Sequence, residues 1–121
     1  MALKLDISMQ DDIAVVRCRG RIVFGEEADE LRRVILGLVR ETSRIVLDLA
    51  WVAHIDSSGL GTLVASFISA RHRDAEIKFG GLSPRAKQVL ASTHVNQLFE
   101  MYDSADEAIR SFRPRHQAAG D

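Results

Sequence analysis

The hydrophobic spacing of this chain switches repeatedly between a period of two and a period of about 3.6, and few folds accommodate that alternation. Leu3, Leu5, Ile7 and Met9 alternate with Lys4, Asp6 and Ser8, as in a half-buried strand. After a turn at Gln10-Asp11-Asp12, Ile13 to Arg19 reads as a second strand. The link is too short for a crossover helix, so the two strands are antiparallel. Gly20 ends the second. From Glu26 the apolar residues Ala28, Leu31, Ile35 and Leu38 fall at helical spacing up to Arg40, with Glu26, Glu27, Asp29 and Glu30 at the end where the helix dipole favours acid.

Ile45-Val46-Leu47-Asp48-Leu49 is the short apolar run of a central strand covered on both faces. A second helix follows, capped by Asp56, Ser57 or Ser58, with Leu60, Leu63, Val64, Phe67 and Ile68 as its core stripe. Glu76 to Phe79 is a strand, Gly80-Gly81 a break, and Ser83-Pro84 the start of a helix that turns Ala86, Val89 and Leu90 inward. A strand from Leu98 to Tyr102 leads to a last helix from Ser104, with Ala105, Ala108, Ile109 and Phe112 on one side and Pro114 as its stop. The order ββαβαβαβα predicts a single α/β domain: a mixed, mostly parallel sheet with one antiparallel edge strand and about four helices. The face each helix takes is left open. A chain of 121 residues has room for one such domain, placed at 1–113, with a loose polar tail at 114–121.

Sixteen basic and seventeen acidic residues give a net charge of −1, which offers no field to draw the molecule to nucleic acid or anionic lipid. The one cysteine, Cys18, excludes an internal disulfide and suits a reducing cytoplasm. The N-terminus alternates instead of running apolar, and no apolar stretch approaches the ~20 residues that cross a bilayer, so membrane insertion is not expected. His54, His72, His94 and His116 are spaced too widely to form a ligand set, and neither a dinucleotide fingerprint nor a phosphate loop is present. No metal or cofactor is expected.

One segment is out of keeping with plain packing: His54-Ile55-Asp56-Ser57-Ser58-Gly59-Leu60-Gly61. It gathers two hydroxyls, a carboxylate and two glycines at a helix N-terminus and the carboxyl end of a strand, where α/β sheets meet ligands and partners. Taken alone, Asp-Ser-Ser-Gly is also an ordinary helix cap. Free N–H groups there tolerate a phosphate on Ser58, while Gly59 leaves the backbone open to another protein's active site. Ser58 as a hydrolytic nucleophile would need a base and an oxyanion site, and Asp56 stands where a nucleophile elbow needs glycine. An enzyme is therefore not the reading.

Gly20-Arg21-Ile22, Ile45-Val46-Leu47-Asp48-Leu49, Ile55-Asp56-Ser57-Ser58-Gly59-Leu60-Gly61 and the helix start from Ser83 to Val89 together resemble the STAS domain pattern, in order and spacing. Small free-standing STAS proteins are similar to bacterial anti-sigma factor antagonists. The resemblance implies a cytoplasmic partner switch: binding to an anti-sigma factor serine kinase, release by phosphorylation at Ser58, and resetting by a serine phosphatase. It implies a docking surface of Gly20, Val23, Phe24, Asp56, Ser57, Ser58, Gly59 and the exposed side of the second helix. Two positions depart from the pattern. Val23 and Phe24 stand where many phosphorylatable members have an acidic residue, and Trp51 replaces a small residue after the central strand. If exposed, Trp51 and Phe24 would anchor a partner; if buried, they fill space. The alternative role in the same family is an accessory subunit on a transporter ATPase or larger signalling assembly, with no phosphate required.

Overall fold

The computed structural model describes residues 3–92 and 99–112. Expectations for the Val89 side chain, Leu98, Pro114 and the tail lie outside what is described. The elements are β1 (Leu3–Gln10), β2 (Ile13–Ile22), α1 (Glu26–Leu38), β3 (Arg44–Ile55), α2 (Ser57–His72), β4 (Glu76–Gly80), α3 (Pro84–Ser92), β5 (Glu100–Tyr102) and α4 (Ala105–Ser111). This is the order that the spacing predicts.

The strands lie side by side in the order β1-β2-β3-β4-β5, with β1–β2 antiparallel and every other pair parallel. Each parallel crossover therefore steps in the same direction across the sheet. Right-handed crossovers that all step one way put their helices on one face. Residues of α1, α2 and α3 accordingly share one core with alternate residues of the strands, including Leu31, Ile35, Leu63, Phe67 and Leu90 against Val16, Leu47 and Phe79. Burying a side chain of this size contributes about 1.5–3 kcal/mol. Among the described residues the other face carries only α4, whose Ala108 and Phe112 cover Ile13, Val15 and Val46.

That short helix is held by a buried cation. Lys78 is 6% exposed; its Nζ donates to Ser111 Oγ at 2.8 Å, pairs with Glu100 at 3.2 Å and sits 4.1 Å from the centre of the Phe112 ring. A lysine in an apolar layer needs such partners, since an unpaired buried charge costs several kcal/mol.

Three expectations are corrected. β2 does not end at Gly20 but continues to Ile22, with Gly20 taking the positive φ of 108° at a shift in register. β3 does not end near Leu49: it runs to Ile55, so Trp51 lies within the strand, opposite Arg19. Register shifts between Arg17 and Arg19 and between Gly20 and Arg21 let β3 place extra residues against β2, and the Asp48 carboxylate accepts the Ala50 N–H at 3.1 Å beside the first. Finally, Ile68 is 44% exposed and stands outside the core stripe of α2, which instead uses Leu60, Leu63, Ser66, Phe67 and Ala70.

Ser66 Oγ is sealed from solvent and has no hydrogen-bond partner among the described residues. Replacing Ser66 by Ala removes that unsatisfied group at little loss of packing, and Ser66→Ala is expected to stabilise the fold by about 1 kcal/mol, read from the midpoint of urea unfolding at unchanged slope.

Candidate functional site

The carboxyl ends of β2 and β3 meet at Ile22 and Ile55, and the chain turns from Asp56 directly into α2. Asp56 is the cap of that helix. Its Oδ1 accepts the Gly59 N–H at 2.7 Å, and its Oδ2 accepts the Phe24 N–H from the segment that leaves β2, at 3.1 Å. One carboxylate thus fastens the loop after β2 to the first turn of α2. These backbone bonds, that to Gly59 first, hold the Asp56 carboxyl below its usual range, with His54 adding a smaller charge effect.

Gly59 lies between these parts and is buried. A methyl group built there would fall 2.0 Å from the Ile22 carbonyl oxygen. The demand for glycine is therefore internal: helix α2 starts in contact with the backbone of β2. Gly61 is exposed, and a side chain there would meet nothing within 4 Å. The two glycines of the motif answer to different requirements, which their sequence does not reveal.

Ser57 and Ser58 are both exposed in the first turn of α2. Among the described residues the Ser58 hydroxyl has no hydrogen-bond partner; its carbonyl accepts from Thr62 Oγ1 at 3.1 Å. Phe24 stands beside them at 79% exposure, Val23 is partly buried, and Gly20 lies further back along β2. The structure thus gathers Val23, Phe24, Asp56, Ser57, Ser58 and Gly59 at one end of the sheet. Trp51 is 61% exposed but sits in β3 opposite Arg19, away from that cluster. The exposed side of α2 expected in the docking surface is the line Ser58, Gly61, Ala65, Ile68, set by spacings of three, four and three; sequence reasoning missed that Ile68 belongs to it. No residue from Ser57 to Ala70 is charged, an unusual surface for a helix that faces water. The exposure of Ile68 is what reveals it.

Among the described residues no group of three His, Cys, Asp or Glu is placed to hold a metal ion, and none of the helices is long and apolar enough to cross a membrane. Cys18 is fully buried, and burial first, with the Asp48 charge second, pushes its thiol up to about 12.

The STAS domain family model matches residues 4–108. The chain belongs to the STAS domain family. Relatives of this STAS domain include the anti-sigma-B factor antagonist of Listeria monocytogenes, 34% identical over 76 residues, which is 63% of this chain and 62% of that protein. A STAS-domain containing protein of Pseudomonas aeruginosa is 30% identical over 71% of this chain and 84% of its own length. The fold matches that of an anti-sigma factor antagonist from Mycobacterium paratuberculosis, with a TM-score of 0.79, 22% identity and coverage of 93% and 95% of the two chains. It also matches the Bacillus cell fate determinant SpoIIAA in its phosphorylated form, with a TM-score of 0.73, 18% identity and coverage of 91% and 100%.

Two outcomes follow from this geometry. Gly59→Ala forces α2 off the Ile22 carbonyl and is expected to cost at least about 1–3 kcal/mol, whereas Gly61→Ala is expected to gain about 0.5–1 kcal/mol, both by denaturant unfolding. A carboxyl whose folded value is depressed contributes stability above its unfolded value and loses it as pH falls through the folded one. The Gly59 and Phe24 amide resonances are therefore expected to titrate together, with a midpoint below the usual carboxylate range, and to lose that step in Asp56→Asn.

Proposed function

We propose that this STAS domain is an anti-sigma factor antagonist that docks on an anti-sigma factor serine kinase through the start of α2 and is released when that kinase phosphorylates Ser58. The observation that carries this reading is the placement of Ser58: an exposed hydroxyl in the first turn of a helix, free of internal hydrogen bonds among the described residues, beside a cap that does not depend on it. An anti-sigma-B factor antagonist among the chain's relatives and SpoIIAA in its phosphorylated form among the matching folds support it.

The physical steps are simple. The partner kinase, using its own ATP and magnesium, transfers the γ-phosphoryl group to the Ser58 oxygen, which gives up its proton, and ADP leaves. The product gains roughly −1.5 to −2 charge at neutral pH. The N-terminal amides and dipole of α2 tolerate that charge, and the Asp56 cap is untouched, so the fold persists. The surface does not stay the same: the side of α2 running through Gly61, Ala65 and Ile68 is uncharged, and the new dianion joins the ionised Asp56 at its head. A partner fitted to a neutral helix face is repelled, and a serine phosphatase restores it. The exposed Phe24, whose backbone N–H donates to the Asp56 carboxylate, is the aromatic anchor at this docking end.

Ser58→Ala is expected to retain a kinase-fold partner from a lysate of the source organism. Ser58→Asp is expected to lose at least about tenfold in affinity, the factor that ~1.4 kcal/mol produces. Intact-mass measurement after incubation with the captured partner and magnesium-ATP should show one added phosphate on wild type and none on Ser58→Ala. Equal retention by both variants sinks the proposal, and recovery of a transporter ATPase by both would move the chain to the accessory-subunit role.

A further inference from the structure

β1 is the outermost strand, paired with β2 on one side and with no described strand on the other. It is 8 residues long, contains no proline and keeps unbroken register from Leu3 opposite Gly20 to Gln10 opposite Ile13. Open edges of this length are usually blunted by charged side chains, above all lysine, by proline, by a bulge or by charges turned toward the apolar side, and of these β1 has Lys4 and Asp6 alone. Here Lys4 and Asp6 occupy one face, and the other is Leu3, Leu5, Ile7 and Met9 throughout. Leu3 and Leu5 pack against the core margin, but Ile7 and Met9 remain 49% and 56% exposed.

We infer that this edge receives a second copy of the same chain, β1 pairing antiparallel with its symmetry mate about a two-fold axis at Ile7. The sequence of β1 selects that register. A shift by one residue would set an apolar face against a polar one, so only odd-to-odd pairings qualify. Centring on Ile7 puts Ile7 opposite itself, Leu5 opposite Met9, Asp6 opposite Ser8 and Lys4 opposite Gln10. Both exposed apolar residues then find apolar partners, and no like charges meet. Centring on Asp6 sets two carboxylates face to face, centring on Leu5 leaves Met9 unpaired, and centring on Ser8 pairs Ile7 with Met9 but shortens the paired span to residues 6–10 and puts Leu5 opposite Asp11 in the turn. The chosen contact is closed and self-complementary, so it stops at two copies, and it joins the two sheets into one. Gly20, on the way to the Ser58 corner, lies opposite Leu3 and outside the paired span, so both copies keep that corner open. The inference does not depend on phosphorylation.

The two-fold axis gives a specific test in the full chain. Ile7→Cys places a thiol directly opposite its own copy, close enough for an intermolecular disulfide. The native Cys18 is fully buried and does not compete. Under mild oxidation Ile7→Cys is expected to become a cross-linked dimer on non-reducing gels, while Ser8→Cys, which faces Asp6 on the opposite side of the strand, stays largely monomeric. By sedimentation equilibrium, wild type is expected to double in mass across a micromolar concentration series, and Ile7→Lys, with two cations at the axis, to remain a monomer with unchanged circular dichroism. A wild-type monomer at hundreds of micromolar, a dimer indifferent to Ile7→Lys, or equal cross-linking at both cysteine positions overturns the inference and leaves the edge to the terminal residues or to another protein.

Discussion

The carboxylate of Asp56 is the point on which this end of the molecule depends, because it accepts from two backbone amides that are far apart in the chain. The Gly59 bond closes the first turn of α2, and the Phe24 bond fixes the segment leaving β2 beside it. The contact of Gly59 with the Ile22 carbonyl then sets how close helix and strand come. Serines presented at such a corner have defined positions even though their own side chains are exposed. Rigidity comes from the neighbours, and availability from the hydroxyls themselves.

The rest of the fold places that corner. Parallel strands in sequential order send α1, α2 and α3 to one face, so the start of α2 projects at the carboxyl ends of β2 and β3, over a continuous apolar layer. Among the described residues the opposite face is covered by α4, which is tied down through Lys78, Ser111 and Phe112. The two sides of the sheet thus carry different work: one seals the core, and the other leaves Arg17, Arg19 and Trp51 open to solvent.

Element order was legible because it rests on local periodicity, which each strand and helix carries in its own residues. The central place of Ile45 to Leu49 was legible for the same reason, as was the Asp56 cap. What escaped depends on contacts distant in sequence. The extension of β3 through Trp51 was hidden because irregular register breaks the alternation that marks a strand. Spacing puts Ile68 in the core because it follows Val64 by one turn, yet packing against α1 turns the buried side toward Ser66 and Ala70. Gly59 read as room for a visitor, while the neighbour it accommodates is the Ile22 carbonyl, a relation no local spacing encodes.

The irregular stretch of β3 also has a bearing on how the domain can vary. Between Asp48 and Ile55 this strand spends more residues than β2 does over the same span, yet the two come back into step at Ile22 and Ile55. Slack of that kind uncouples the middle of the strand from its end. Residues such as Trp51 and His54 can be exchanged, or re-aimed by altering a bulge, without disturbing where Asp56 arrives, so one surface is free to drift toward new neighbours while the corner that carries the serines stays where it is.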